Sequence, residues 1–446
     1  MRRARLALSI VSTAAVVALV GARNPEATAT NAVEPASGLQ LTTLVGFVDG
    51  MLRHVDPQSL DPVPGRAVLV GSGGCAASQG GTACWTVPAW AASPDGARVV
   101  VARNAASALR VVDVSALRVV ADVRLGLDGG SIGALAWLTP RRVFAVQQTF
   151  GERHRVLALD VATRRVVARR ALNGTVAQLG RTNRELVLLV APAGTIGTAR
   201  VAVVGRRGVV RFARLNRISV GSKLLAGRGH RVQSRGPGLA VDPRGRRAFV
   251  VAQGIVAEID LRTLAVSYHS LERPTSLLGR LRSWLEPLAN AKQVSGYHRR
   301  ARWLGGDAIA VAGTDTNDGR HEPAGLRIVD TRTWTTTTLE RGATRFDVAG
   351  ELLLATGGSW DAALQRSVGI GVAAYGSDGE QRFQLFDGRQ TWVALVLSGR
   401  AYVGLVGPAA SEPLQIVELA SGRVVGARER PLPWLLVGAA SGGWSG

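Results

Sequence analysis

One unit recurs along this chain and limits what the chain can become. Its clearest copy is SPDGARVVVARNAASALRVVDVSALRVVADVRL, residues 93–125. Ser93-Pro94-Asp95-Gly96 is turn chemistry: Pro presets φ, Asp bonds to nearby backbone, and Gly tolerates positive φ. Val99 to Ala102 is a short, mostly β-branched run that favours a buried strand. Asn104 to Ala108 reads as a loop, and Leu109 to Val112 as a second strand ended by Asp113. Val119 to Leu125 alternates apolar and polar residues. The unit is a turn plus two to four short strands, without helical period. Alone it cannot bury its faces, so it must stack on copies of itself.

The copies are there. VDPRGRRAFVVAQGIVAEIDLRTLAV (241–266) repeats the order around Asp260, and RVLALDVATRRVV (155–167) does so around Asp160. LRIVDTRTW (326–334) carries Asp330, LRHVDPQSL (52–60) Asp56, and LQIVELASGRVV (414–425) Glu418 in the same slot. Degenerate copies put Gly205 and Gly376 there. The period is about 45–55 residues, the range of a four-stranded propeller blade. The repeated acids read as turn caps.

The pattern SPDG, apolar run, loop, then V-x-D-x-x-x-x-x-V-V resembles the YVTN-type, WD40-like β-propeller repeats of secreted bacterial proteins. Ser93 to Gly96 with Val111-Val112-Asp113 match it best, followed by Asp242-Pro243 with Ile259-Asp260. The resemblance implies an all-β propeller, and implies little about activity, because such folds host many. Inner hairpins fall near Ala97, Arg142, Glu185, Arg246, Asp307, Glu351 and Arg400. Residues 41–70 look like a blade without its first strand, and 433–440 like a lone first strand. Together they complete an eighth blade, with N-terminal and C-terminal strands sharing it, and leave no open edge. Seven blades is the fallback if the weak copy at 342–388 merges with a neighbour.

The domain reading follows. MRRAR and the apolar run 6–22 form a signal peptide, with cleavage at Val20-Gly21-Ala22 or Ala27-Thr28-Ala29. An uncleaved membrane anchor is the alternative. Residues 23–40 are a linker expected to be disordered. Residues 41–440 form one propeller, with a helical insertion at about 274–290, and 441–446 a tail. Within the insertion, SLLGRLRSWLEPL (276–288) is amphipathic, suited to the propeller rim or to a membrane surface. An exported chain with Cys75 and Cys84 close together is expected to form a disulfide.

Net charge is +22, and the only lysines are Lys223 and Lys292. The arginines are scattered through every repeat, as a GC-rich genome produces. Their field attracts polyanions such as envelope polymers. Specific nucleic-acid binding is not expected, for basic runs with interleaved stacking aromatics are absent. Candidate binding residues lie on long connections: Glu152 and His154 in 149–155; Asp315, Asp318, His321 and Glu322 in 313–325; Trp360 and Asp361 in 357–369. Such acid-rich loops hold a cation or position a water, or are simply solvated Asx turns. DTNDG falls one residue short of a calcium loop. No metal or cofactor is expected. Gly129-Gly130-Ser131-Ile132-Gly133 matches G-x-S-x-G but lacks the following helix, so it reads as a flexible link.

Two functions compete. One is an exported, non-enzymatic, monomeric propeller that binds a protein partner or an anionic envelope polymer. The other is a secreted propeller enzyme of lactonase or quinoprotein-dehydrogenase type. Six His, with ten Trp that do not recur at one blade position, weigh against the second.

Overall fold

The computed structural model describes residues 41–440 except 72–73, 79–80, 86–87, 127–129, 149–153, 226–230, 272–294, 318–319, 362–365, 407–411, 430–431 and 433. The signal peptide, the linker, the tail and the amphipathic segment 276–288 lie outside the described residues.

The strands are β1 (Leu41–Val48), β2 (Met51–Val55) and β3 (Pro62–Leu69), then a hairpin of β4 (Gly74–Ser78) and β5 (Gly81–Trp85). Next come β6 (Trp90–Ala92), β7 (Arg98–Arg103), β8 (Ala108–Asp113) and β9 (Arg118–Arg124). β10 (Ser131–Thr139), β11 (Arg142–Gln148), β12 (His154–Asp160) and β13 (Arg165–Ala171) follow. β14 (Thr175–Arg181), β15 (Glu185–Ala191), β16 (Gly197–Gly205), β17 (Val210–Leu225) and β18 (Arg231–Gly236) come after them. Then β19 (Gly238–Val241), β20 (Arg247–Val251), β21 (Ile255–Asp260) and β22 (Val266–Ser270). β23 (Ser295–Gly305), β24 (Ala308–Asn317), β25 (Arg320–Pro323), β26 (Leu326–Asp330) and β27 (Thr336–Glu340) form the next group. The chain continues with β28 (Ala343–Ala349), β29 (Leu352–Asp361), β30 (Arg366–Tyr375) and β31 (Gln381–Leu385). It ends with β32 (Thr391–Leu397), β33 (Arg400–Leu405), β34 (Leu414–Glu418), β35 (Arg423–Arg428) and β36 (Trp434–Ala440).

The fold is an all-β propeller. Its blade count corrects the expected eight, or seven. Six sheets are separate four-stranded blades: β3-β2-β1-β36, β6 to β9, β10 to β13, β19 to β22, β28 to β31 and β32 to β35. The strands β14 to β17 and β23 to β27 instead belong to one ten-stranded sheet. The cause is β17, which runs on past its partner β16 and pairs with β18; β18 then pairs in parallel with β23. At the termini, β36 pairs antiparallel with β1, so the two ends of the propeller share one blade.

Burial explains the sequence of each strand type. β15 (ELVLLVA) and β20 (RAFVV) are buried on both sides, because neighbouring sheets cover both faces. Their apolar runs are therefore continuous rather than alternating. The outermost strands β13 (RVVARRA) and β35 (RVVGAR) are largely exposed and Arg-rich, which blunts their edges against further pairing. Trp137, Phe144 and Phe249 are fully buried. Each contributes roughly 2–3 kcal/mol by leaving water.

The repeated acid is a turn cap, as its spacing predicts. Oδ1 of Asp160 accepts from the Thr163 N–H at 2.9 Å, and that of Asp260 from Thr263 at 2.6 Å. Oδ1 of Asp330 accepts from Thr333 at 2.8 Å and that of Asp113 from Ala116 at 2.8 Å. These backbone donors hold the four carboxyls below the usual range. Four residues after each acid the chain turns left-handed: Leu60, Leu117, Arg164, Leu264 and Trp334 all have φ between +45° and +63°. Glu418 has Gly422 at that position, φ +64°. The N–H of Leu264 closes the turn on the Asp260 carbonyl at 2.8 Å, and Trp334 does the same to Asp330.

Many arginines serve the seams between sheets. Arg169 donates to the carbonyls of Leu125 (2.6 Å) and Gly126 (2.9 Å) on the preceding sheet. Arg200 donates to Leu172 and Asn173, Arg211 to Leu261 and Arg262, and Arg110 to Leu69. Arg428 closes the ring, donating to the carbonyls of Ser59 and Leu60 and to Asp61 Oδ1. Others sit opposite the turn acids: Arg98 pairs Asp113, Arg142 pairs Asp160, Arg247 pairs Asp260 and Arg400 pairs Glu418. The scatter read from sequence is a regular structural use of charge.

Candidate functional site

Antiparallel alternation gives the propeller two unlike faces. One carries the first and third turns of each sheet, such as 93–97 and 113–117, all short and capped. The other carries the middle turns and the links between sheets, and there the chain grows long hairpins.

Three of these stand together. β17 and β18 form the first, and β18 lies parallel to β23, with Arg235 opposite Tyr297 and Gly236 opposite His298. β24 continues beyond its sheet and pairs with β25, Asp315 opposite Glu322 and Thr316 opposite His321. β29 and β30 extend likewise, Asp361 opposite Arg366, and β25 packs against β29. The segments 313–325 and 357–369 were expected to be loops. They are largely strand, because each pairs with its own return segment beyond the blade.

An ion pair ties β23 to the extended part of β24. The Arg299 side chain is 7% exposed and donates to Asp315 Oδ1 at 2.7 Å and to the Thr314 carbonyl at 2.7 Å. Its guanidinium lies over the Tyr297 ring, 5.6 Å from the centroid. The Tyr297 hydroxyl donates to the Ser219 carbonyl at 2.9 Å, tying β23 to β17. Burial pushes that phenol up to about 12. Gln178 straps three inner strands: its Oε1 accepts from the Leu239 N–H (2.5 Å) and its Nε2 donates to the Arg299 carbonyl (3.3 Å).

The expected site residues divide. Asp315, His321 and Glu322 are brought together on the β24–β25 hairpin. Asp315 is committed to Arg299, so it is a positioning group rather than an open ligand. His321 Nδ1 shares a hydrogen bond with Thr316 Oγ1 at 3.0 Å, and Glu322 is exposed. Trp360 and Asp361 end β29, beside that hairpin. Asp318 and Glu152 lie outside the described residues. His154, expected on a face loop, instead begins β12, is 7% exposed, and its Nδ1 accepts the Val176 N–H at 3.0 Å. Burial pulls its pKa down to about 4. Ser131 likewise is not in a flexible link but opens β10, buried. Cys75 and Cys84 are direct cross-strand partners of β4 and β5. Among the described residues no three His, Cys, Asp or Glu converge to hold a metal.

Further charged residues that the sequence did not single out lie on the first strands of two sheets. Arg300 and Arg302 on β23 and Arg345 and Asp347 on β28 belong to the innermost strands. YHRRAR (297–302) was the only signal of the first two, and it is weak in so arginine-rich a chain.

No family model matches the chain, and no curated protein matches it. The YVTN-type family expected from the repeats therefore remains a resemblance. Among solved structures, the dihydro-heme d1 dehydrogenase NirN in complex with DHE superposes with a TM-score of 0.53. The identity is 14%, over 93% of this chain and 78% of that one. Apo AztD from Citrobacter koseri gives 0.46 at 11% identity, over 90% of this chain and 98% of that one. Sqt1 of Saccharomyces cerevisiae gives 0.46 at 8%, over 78% and 86%. The NirN superposition agrees with the strand topology in showing a β-propeller fold.

Proposed function

We propose that this chain is an exported, non-enzymatic β-propeller that binds an anionic cell-envelope polymer through the face bearing the long hairpins. The observation that carries this reading is the asymmetry of the two faces. One has short turns, while the other builds three hairpins, one of them rooted in the Arg299–Asp315 pair between β23 and β24. A surface of that kind is ordered without being part of the blade cores, which suits recognition by elements set on a rigid scaffold. The leader at 1–22 and the net charge of +22 supply the address and the sign of the ligand. Export also gives Cys75 and Cys84 an oxidising compartment. Direct antiparallel partners sit about 4.5–5.5 Å apart at Cα, within reach of a disulfide.

The test is co-sedimentation of the purified chain with insoluble bacterial cell wall at low and high salt. Binding that falls steeply with salt supports an anionic polymer held by the arginine field. Salt-resistant retention points instead to a protein or shaped ligand on the hairpins. Absence of binding at low salt overturns the proposal.

A further inference from the structure

The seam between the sheet β32 to β35 and the terminal sheet is packed at Tyr402 and opens further along β33. Tyr402 is 2% exposed and shares one apolar cluster with Leu44, Val55 and Leu60 of the terminal sheet. Gly404 lies two residues further along β33, so it faces the same side. Its direct cross-strand partner is Trp392 of β32, which shares that face and is 40% exposed. Val406, another two residues along, is 52% exposed, and its N–H donates to the Gln390 carbonyl at 2.8 Å. Trp392 is the second residue of β32 and Val406 follows the end of β33, so both stand at the face bearing the long hairpins.

The indole lies flat on Gly404. A Cβ placed on that glycine would stand 2.2, 2.3 and 2.5 Å from Cζ2, Cε2 and Cη2 of Trp392. Three consecutive ring atoms at nearly equal distance put that point over the ring rather than beside its edge. One π-face therefore rests on backbone that only glycine leaves clear, and the other points away from the strand. Among the described residues no aromatic ring or guanidinium stacks on it. The same end of the sheet carries Arg389, three residues before Trp392, whose Nη2 donates to Oε1 and Oε2 of Glu412 at 2.8 and 2.7 Å.

We propose that Trp392 is a stacking platform for one pyranose ring of a polysaccharide. This rests on the envelope-polymer reading above and names the chemistry of that polymer. The C–H bonds on one face of a pyranose carry partial positive charge, and the face of an indole is negative. Size argues against a protein: two exposed apolar side chains fall far short of the about 800 Å² per partner that a stable interface buries. Charge argues against a cation, the other common occupant of a tryptophan face, because Arg389 stands at the same end of a chain of net charge +22. A nucleic-acid strand stacks successive bases on several aromatic side chains, and here one ring stands alone. A sugar ring needs only one, and the Arg389–Glu412 pair offers charged partners to its hydroxyls.

Binding isotherms of the purified chain on insoluble bacterial cell wall, taken at several salt concentrations, test it. Stacking is not screened by salt, so Trp392→Ala is expected to raise the apparent Kd about tenfold at every salt concentration and to leave the salt slope unchanged. Trp392→Phe keeps a ring and is expected to recover most of the loss. Gly404→Ala keeps the indole but lifts it off the strand, and is expected to weaken binding as Trp392→Ala does. Circular dichroism checks that each variant is folded. Soluble glycan released from the same wall and freed of peptide is expected to compete; failure to compete overturns the assignment of a sugar. Absence of wall binding by the unaltered chain sinks the polymer reading and this site with it. Wall binding unmoved by Trp392→Ala and Gly404→Ala leaves that reading intact and overturns the platform. Retention of single-stranded oligothymidine that depends on Trp392, with wall binding unmoved, overturns it in favour of a nucleobase.

Discussion

Arg428→Gln tests whether the ring is held shut by its last outer strand. The Arg428 side chain is 10% exposed and donates from β35 to the carbonyls of Ser59 and Leu60 and to Asp61 Oδ1 at 3.0 Å. Those acceptors lie more than 360 residues earlier, in the turn between β2 and β3. A charge-assisted hydrogen bond is worth about 1.5–3 kcal/mol when its partner stays buried. Here Asp61 is 37% exposed and the Leu60 contact is long at 3.3 Å, so the three together amount to about one strong bond. The expected loss is about 2–3 kcal/mol. Unfolding entropy of about 2.1 cal/mol/K per residue, over roughly 400 residues, makes this about 3 °C in Tm for one cooperative unit. Differential scanning calorimetry reads it directly. Arg124→Gln, at an exposed position of β9, removes the same charge without a seam and is the control. Equal small shifts for the two variants would refute the seam argument.

Stability should also depend on His154. Its pKa falls from 6.5 to about 4 in the folded chain, so the native state binds fewer protons than the unfolded state between those values. Stability is then complete above pH ~6.5 and is lost as pH falls towards 4, by about 3 kcal/mol in all. His154→Asn retains an acceptor for the Val176 N–H and should flatten the urea midpoint over that window; an unchanged slope would contradict the assignment. Export should oxidise the Cys75–Cys84 pair: intact mass of chain secreted into an oxidising compartment should fall by about 2 Da, and alkylation of both thiols without reduction would count against it.

The sequence displayed the parts of the fold that depend on local chemistry. Asp113, Asp160, Asp260 and Asp330 are visible because a turn that ends left-handed needs a side-chain acceptor at its start. The turns at Ala97, Arg142, Glu185, Arg246, Asp307, Glu351 and Arg400 are visible because each interrupts an apolar run. What was not visible depends on distant partners. Residues 313–325 and 357–369 are polar and Gly-rich, and only their return pairing makes them strands. β17 fuses two sheets because β18 finds β23, a contact over 60 residues away that no local pattern encodes. His154 looked like a loop residue because the boundary between connection and strand falls at its own position. Arg299 was hidden by abundance, since arginine recurs at many seams and its role follows only from the strand that carries it.

The most direct test of the central claim removes one face at a time. Replacing residues 314–323 by a two-residue turn deletes the β24–β25 hairpin and leaves β24 and β26 paired through Ala308 to Val311. In the same cell-wall binding measurement, Arg164→Gln and Arg332→Gln lower the charge of the short-turn face. The account predicts that the hairpin deletion loses most retained protein while the turn-face variant keeps it. Equal retention by the hairpin-deleted chain, folded by circular dichroism, would contradict a binding face built from these hairpins.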